Sequence, residues 1–374
     1  MQSEAKSMIA ASVQSIFSGH VTPSLIESSE SGTFASTLWG LVEDNGLPLA
    51  ACAQESGGSG FSWSEVSPVL EAMGRWCVPL PLSETLAANW LLERAGMTPC
   101  EGRVTLADSL AANIAAAPHV LETTAGPVLT GELEGVAWAG DCRWLVMQAL
   151  HANQTLVLVL VDLLQAGIKI HPGTNLAGEP RSRIVFASVP CTCSGSDARL
   201  VISPLLLGAL MRSAMICGAL DAALEQTIAY VNQRVQFGKP LGKNQVIQQN
   251  LATLATSVQS AHMATQVALQ NLSKDPFDGA LMFDIAVAKI RASVAASDAF
   301  STLHQVQGAI GFTREHNLQQ FTRRLLSWRQ EFGSEAYWSA AVGRAAIRTG
   351  GADFWSALTS RSFDVQQELA LLPA

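Results

Sequence analysis

Between Arg234 and Gln245 the chain reads Arg-Val-Gln-Phe-Gly-Lys-Pro-Leu-Gly-Lys-Asn-Gln. An arginine and two glutamines, Gln236 and Gln245, fall within twelve residues. A guanidinium presents several donors in a fixed fork, which suits an anionic ligand such as a pyrophosphate. The stretch joins two long helical patterns, and Gly238, Pro240 and Gly242 favour a turn between them. Arg234 therefore ends one helix, Gln236, Phe237 and Gly238 occupy the turn, and Gln245 opens the next helix. Two readings follow: a helix hairpin whose arginine caps the macrodipole, or an arginine that meets an anion.

A second constellation follows one helical spacer later, at Gln305-Val-Gln-Gly308-Ala309-Ile-Gly311-Phe312-Thr313-Arg-Glu315. Upstream, Glu71-Ala-Met-Gly74-Arg75 precedes Val78-Pro79. Together these segments resemble the acyl-CoA dehydrogenase family, with its Arg-x-Gln-Phe-Gly…Gln turn, its Gln-x-x-Gly-Gly-x-Gly-Tyr-Thr-x-Glu segment, and its Glu-x-x-Gly-Arg helix followed by Val-Pro. The resemblance spans nearly the whole chain. It is most specific in the C-terminal half and thinnest between residues 101 and 197.

That resemblance implies FAD as cofactor and an acyl-CoA thioester as substrate. It implies oxidation to the 2,3-enoyl form, with the flavin as hydride acceptor and an electron-transfer flavoprotein or similar acceptor downstream. Arg234, Gln236, Phe237, Gly238 and Gln245 correspond to the turn that reaches a neighbouring protomer's FAD. Gln305, Gly308 and Ala309 correspond to the adenosine-side motif, where small residues let backbone approach the cofactor. Ala309 stands where the family's second glycine is usual. A turn that serves a neighbour's cofactor implies an oligomer: a homodimer or tetramer, or a heterotetramer with a second acyl-CoA dehydrogenase subunit.

The catalytic base does not transfer, and its identity stays unknown. One family position precedes the Gly-Thr of a late loop. Here that loop is Glu331-Phe332-Gly333-Ser334, and the position holds Phe332. The other lies 26 residues before Arg234 and holds Gly208, with Ala209 next. Neither side chain accepts a proton. Glu331 is one residue from the first position, where an exposed helix-end acid is the plainer expectation, and Glu335 has the same status. The Phe332 backbone N–H retains the means to polarise a thioester carbonyl. In the middle region Trp138 is a flavin-stacking candidate or an ordinary core tryptophan. The small Gly208 and Ala209 suggest room for a bulky, polycyclic or branched acyl group.

These departures leave a flavin-dependent acyl-CoA dehydrogenase as the leading expectation. A non-catalytic subunit that completes the FAD site of a hetero-oligomeric dehydrogenase is the alternative. A flavin oxidase or monooxygenase on the same fold is a third, since fold alone does not fix the reaction.

The elements that must position these residues follow from periodicity. Residues 1–100 read as an N-terminal helical domain, with a glycine cluster at 55–64 that is a loop ending in an N-cap at Ser62 or Ser64. No Gly-Lys-Ser/Thr follows it, so a phosphate loop is not supported. Residues 101–197 read as a middle β-domain, with strands near 104, 127, 144, 155–161 and 183. The apolar run 155–161 predicts a strand buried on both faces. Residues 198–374 read as a C-terminal four-helix bundle, with helices near 200–234, 242–273, 279–305, 315–330 and 334–349. A short helix is expected at 352–361, and Ser362–Ala374 as a loosely held tail. The fold class is therefore α+β, in α–β–α order.

Composition bounds the rest. Of 374 residues, 48% are hydrophobic and 14% charged, and the net charge is −8. So low a charged fraction predicts extensive buried surface, a subunit interface included. Clustered Lys and Arg are missing, which argues against nucleic acid. No apolar run of about 18 residues is free of a polar break, so no membrane span is expected. Seven cysteines lack any Cys-x-x-Cys pair, and Cys191-Thr-Cys193 is too tight for ordinary zinc spacing. A metal-free cytoplasmic protein with reduced thiols is the expectation.

Overall fold

A computed structural model describes residues 4–108, 118–152, 155–195, 202–236, 238–273, 279–365 and 368. Five helices open the chain: α1 (Glu4–His20), α2 (Pro23–Glu30), α3 (Ser36–Asp44), α4 (Trp63–Arg75) and α5 (Leu82–Arg94). Ser62 caps α4. Its Oγ accepts the Glu65 N–H at 3.3 Å, and the Glu65 carboxylate accepts the Ser62 N–H at 3.0 Å. This reciprocal box fixes where the glycine cluster ends and the helix begins.

Strands β1 (Val104–Ala107), β2 (His119–Thr123), β3 (Gly126–Ala137), β4 (Trp144–His151), β5 (Leu156–Asp162), β6 (Ile168–His171), β7 (Arg181–Pro190) and β8 (Thr192–Cys193) form one sheet. Its order is β6-β7-β3-β2-β4-β5-β8, with β1 parallel to β4. Side chains of β5 alternate between two cores, as a period of two requires. Leu158 joins the large helical core, while Val157, Val159 and Val161 join the sheet's own core. The sheet is thus buried on both sides of its central strands. Three strands, β2, β6 and β8, go beyond those expected from sequence.

The C-terminal helices are α6 (Pro204–Gln233), α7 (Gln245–Leu272), α8 (Gly279–Gln307), α9 (Leu318–Trp328), α10 (Glu335–Thr349) and α11 (Phe354–Ser360). A two-stranded hairpin, β9 (Val235–Gln236) with β10 (Lys239–Pro240), turns the chain from α6 into α7. The apolar α6 has an 18-residue window hydrophobic enough for a membrane, but 89% of that window is buried inside the molecule, so α6 is a core helix. On α7 Leu254 and Val258 are buried, and Ile247 and Leu251, which lie nearer the exposed Gln245 end, are half-buried.

Two glycines bring α4 and α6 into backbone contact. A methyl at Gly74 would lie 1.8 Å from the Met215 carbonyl oxygen, and one at Gly218 would lie 1.8 Å from that of Glu71. Only hydrogen fits at either crossing point. The segment after α11 departs from expectation. Phe363 and Val365 are 2% and 1% exposed, and Glu368 pairs with Arg348 at 3.0 Å. Two apolar anchors and an ion pair therefore dock this segment instead of leaving it loose. Residues 366–367 and 369–374 of that tail lie outside the described residues.

Candidate functional site

The two positions expected for a base meet each other. Gly208 sits on the first turns of α6, and Phe332 sits in the α9–α10 loop. The Phe332 ring lies so close over Gly208 that a methyl there would be 2.2 Å from Cδ1. Phe332 adopts a left-handed backbone, φ 53°. Trp338 Nε1 donates to its carbonyl at 3.0 Å and helps hold that conformation. The space expected above Gly208 and Ala209 is filled by this ring, and Ala209 is itself fully buried. Among the described residues, then, Gly208 and Ala209 do not themselves open room for a bulky acyl group.

Glu331 is neither a poised base nor an exposed helix-end acid. Its carboxylate accepts from Arg181 Nε at 2.9 Å, from Arg212 Nε at 2.7 Å and from Asn175 Nδ2 at 3.2 Å. Burial pushes its pKa up, but the Arg181 and Arg212 charges outweigh burial and bring it down to about 2. A carboxylate held that acidic is a poor proton acceptor at neutral pH. Glu335 is likewise engaged, by Arg329, whose Nε donates at 3.2 Å.

The network extends inward. Arg212 is 1% exposed and bridges Glu331 to Glu84, itself 1% exposed, at 2.5 Å. Its Nη1 lies 3.3 Å from Ser83 Oγ, and its guanidinium stands 5.5 Å from the centre of the Phe332 ring. Burial opposes the charge on Arg212, yet Glu84 and Glu331 raise its pKa and keep it cationic. Arg181 also pairs with Glu179 at 3.2 Å, and Glu179 accepts from Trp328 Nε1 at 2.9 Å. Glu179 reaches Arg324 at 3.3 Å, and Arg324 reaches Glu30 at 3.1 Å. The N-terminal helices, the sheet and the C-terminal helices are thus joined through one chain of buried charges. The cavity left between Ser83, Glu84, Arg181 and Arg212 is about 10 Å³, room for about one water. Nearby, Lys289 is fully buried, donates to the Trp328 and Arg329 carbonyls at 2.9 Å, and is pulled by burial to about 7.

Trp138, the flavin-stacking candidate, is 4% exposed and packs edge-on against Phe34, with ring centres 6.4 Å apart. It is a core tryptophan.

The two constellations singled out as candidate cofactor sites share one end of the helical bundle. Gln307 Nε2 donates to Thr227 Oγ1 at 2.7 Å, which ties the end of α8 to the end of α6. The Tyr230 and His316 rings lie 6.1 Å apart and repeat that tie. Arg234 is the residue that ends α6, Gln236 and Gly238 (φ 77°) form the hairpin, and Gln245 opens α7. Phe237 lies outside the described residues. Gln305 is on the last turn of α8, and Gly308 and Ala309 begin the short 3₁₀ turn after it. Arg234, Gln236, Gln245, Gln305, Gly308 and Ala309 are all exposed. Among the described residues none accepts a hydrogen bond or ion pair from the Arg234 guanidinium. Gly308 has φ 68°, and nothing lies within 4 Å of where a side chain would begin, so a ligand can meet its backbone. Behind it, Phe312 stacks on the buried His304 at 4.0 Å and steadies the turn. A guanidinium and three amides that have no partner among the described residues, with an open glycine, form a donor set that fits an anionic dinucleotide. Around them Ile228, Val235, Val246, Ile310 and Phe312 are exposed apolar side chains, a surface that suits a second subunit.

The sequence reading missed Arg212, Glu84, Arg181 and Glu179 as a group. One signal was present. Arg212 is the only charged residue between Pro204 and Leu220, and a charge inside an apolar helix needs a buried partner.

Comparison with known proteins agrees with this architecture. Residues 3–98 match the model of the acyl-CoA dehydrogenase N-terminal domain, and residues 198–347 that of the acyl-CoA dehydrogenase C-terminal domain. The chain is 26% identical to the acyl-CoA dehydrogenase IpdE2 of Mycolicibacterium smegmatis over 329 residues, 86% of this chain and 92% of that one. Among solved structures it is similar to the ChsE4-ChsE5 complex from Mycobacterium tuberculosis, with TM-score 0.84 and 22% identity over 94% of this chain and 99% of that one. It is also similar to a variant of the Tcur3481-Tcur3483 steroid ACAD, with TM-score 0.82 and 21% identity over 94% and 100% of the two chains. With helices, sheet and helices in the family's order and both helical domains matched, this chain belongs to the acyl-CoA dehydrogenase family.

Proposed function

We propose that this chain is a non-catalytic subunit of a hetero-oligomeric acyl-CoA dehydrogenase, and that it completes a FAD site carried mainly by its partner. The observation that carries this reading is the contact between Phe332 and Gly208. Both family positions for the base lack a carboxylate, and one side chain fills the space beside the other. Glu331, Glu335 and Glu84 are each held by an arginine. The cavity beside Glu84, Arg181 and Arg212 measures about 10 Å³, too small for an acyl chain.

Bound FAD supplies the hydride acceptor of the family's reaction. This chain supplies donors. The Arg234 guanidinium neutralises a pyrophosphate oxygen, the Gln236, Gln245 and Gln305 amides orient the dinucleotide, and Gly308 and Ala309 let backbone approach its adenosine side. The exposed apolar side chains around these donors bury against the partner and exclude water from the joint site. The acyl-CoA and the electron acceptor, an electron-transfer flavoprotein or similar, then belong to the partner's active site. Solved relatives described as a two-protein complex and as a steroid ACAD support this assembly and make polycyclic acyl-CoA thioesters the first class to try.

The test is the visible spectrum of the chain purified alone and after co-expression with a dehydrogenase subunit that retains its base. A colourless folded chain that gains a flavin band, and acyl-CoA-dependent bleaching, only with the partner is the expected result. Flavin bound and bleached by acyl-CoA in the chain alone would return the reading to a self-sufficient dehydrogenase.

A further inference from the structure

A cleft of about 460 Å³ opens beside β8, lined by Glu122, His151, Cys191 and Cys193 among others. Pro127, near the start of β3, also lines it, whereas the buried charge network lies at that strand's other end, beside Trp138. Cys191 and Cys193 are two residues apart in extended chain, so their side chains share a face. Their sulfurs stand 3.9 Å apart. Both residues are partly exposed, and β8 is the edge strand of the sheet, paired only with β5 among the described strands. Across the cleft His151 Nε2 lies 2.9 Å from a Glu122 carboxylate oxygen.

We propose that Cys191 and Cys193 form a redox-active dithiol that closes to an intramolecular disulfide by exchange with a small-molecule disulfide. Two thiols on one face of a strand edge, open to a cleft large enough for a small ligand, are placed for this exchange. The Cys193 thiolate attacks one sulfur of the external disulfide, forms a mixed disulfide and releases one thiol. Cys191 loses its proton and attacks the Cys193 sulfur, closing the protein disulfide and releasing the second thiol. Both protein protons end on the two released thiols, and the external disulfide is the oxidant reduced.

The order of attack follows from the surroundings. The contact between the two sulfurs lowers the pKa of Cys193 and raises that of Cys191; at Cys193 burial opposes, the His151 imidazole assists, and Glu122 opposes. Every other thiol is disfavoured. Burial raises Cys52 and Cys77 to about 12 and Cys100 to about 11, and it raises Cys142 and Cys217 as well. Cys52, Cys77, Cys142 and Cys217 are also buried, whereas the cleft pair is partly exposed, so a small-molecule disulfide reaches the cleft pair ahead of them.

The experiment treats the full chain with glutathione disulfide at neutral pH, alkylates the remaining thiols and maps the peptides by mass spectrometry. The expected result is a Cys191–Cys193 peptide lighter by two hydrogens, protected from alkylation and restored by dithiothreitol, with the other five thiols still reduced. In Cys191→Ser, glutathione remains on Cys193. In Cys193→Ser, glutathionylation of Cys191 is slower by about tenfold or more. The unsubstituted chain is read first, so a misfolded variant does not hide the answer. A wild-type peptide with both thiols still free, or with glutathione held stably on Cys191, overturns the proposal.

Discussion

The Phe332 ring occupies the space that a side chain at Gly208 would need, with 2.2 Å between Cδ1 and a built methyl carbon. These positions come from different elements, 124 residues apart in sequence, and each explains the other. A large ring in the α9–α10 loop requires hydrogen at the α6 position. Gly208→Ala should therefore be destabilising despite its better helix propensity. Overpacking costs about 1–3 kcal/mol, and propensity offsets about 1 kcal/mol of that. In a Phe332→Ala background the clash is gone, so the same change should stabilise by about 0.5–1 kcal/mol. Urea melts of the four proteins in this double-mutant cycle measure the sign. Equal effects of Gly208→Ala in both backgrounds would show that the two residues are not coupled.

Glu331 gives a pH-dependent prediction. Its carboxyl is held at about 2 in the folded chain, against about 4.3 for an ordinary glutamate in the unfolded chain. A depressed folded pKa means that the ionised form stabilises the fold. That contribution is complete above about pH 4.5 and is lost as pH falls through about 2. Glu331→Gln leaves Arg181 and Arg212 short of an acid and should cost about 3–5 kcal/mol at pH 7. The gap to wild type should shrink as pH falls below about 4.5. Thermal melts from neutral pH down to about pH 3 check this. An unchanged melting temperature at neutral pH, with loss of flavin bleaching in the assembled complex, would instead identify Glu331 as the base.

Much of this was legible in the sequence because it rests on local rules. Helical periodicity places all five long C-terminal segments to within a few residues, and Ser62, one of the two N-cap candidates, marks the start of α4. Strand β5 shows its two-sided burial as an unbroken apolar run. The strands that went unread have other causes. His119–Thr123 and Ile168–His171 alternate burial weakly and contain charged or polar residues, so they pair by sheet context more than by pattern. Glu331 was misread because a carboxylate's partners, here Arg181 and Arg212, lie far away in sequence and are brought close only by the fold. The filled space above Gly208 was hidden for the same reason. A small residue permits a cavity, but only the facing element decides whether one exists.

The crossing of α4 and α6 carries a sharper stability prediction than any cavity does. At Gly218 a methyl would lie 1.8 Å from the Glu71 carbonyl oxygen. Backbone cannot rotate away as a side chain can, so the helices must separate. Arg75 and Glu225 lie across the same pair of helices, with a hydrogen bond of 3.1 Å, and would be drawn apart with them. Gly218→Ala should lose about 3 kcal/mol, more than Gly208→Ala, whose obstacle is a side chain. Gly19→Ala, in α1 with nothing within 4 Å, is the control and should stabilise by up to about 0.5–1 kcal/mol. Denaturant melts of the two variants test the contrast.

Arg234 and Gln305 should separate cofactor binding from folding. Both are exposed, and among the described residues neither side chain donates to another group. Arg234→Ala and Gln305→Ala should therefore change the stability of the isolated chain by no more than about 0.5 kcal/mol. In the assembled complex the same changes remove donors to an anionic dinucleotide. A hydrogen bond to a charged group contributes about 1.5–3 kcal/mol, so Arg234→Ala should weaken FAD retention by about tenfold to a hundredfold. Gln305→Ala removes an uncharged amide and should have a smaller effect, about 0.5–1.5 kcal/mol. Arg234→Lys keeps the charge but loses the planar fork, so it should fall between wild type and alanine. FAD titration into deflavinated complex, followed by flavin fluorescence, gives the three affinities. An Arg234→Ala complex that binds FAD as wild type does would remove this end of the bundle from the cofactor site and with it the basis for a completing subunit.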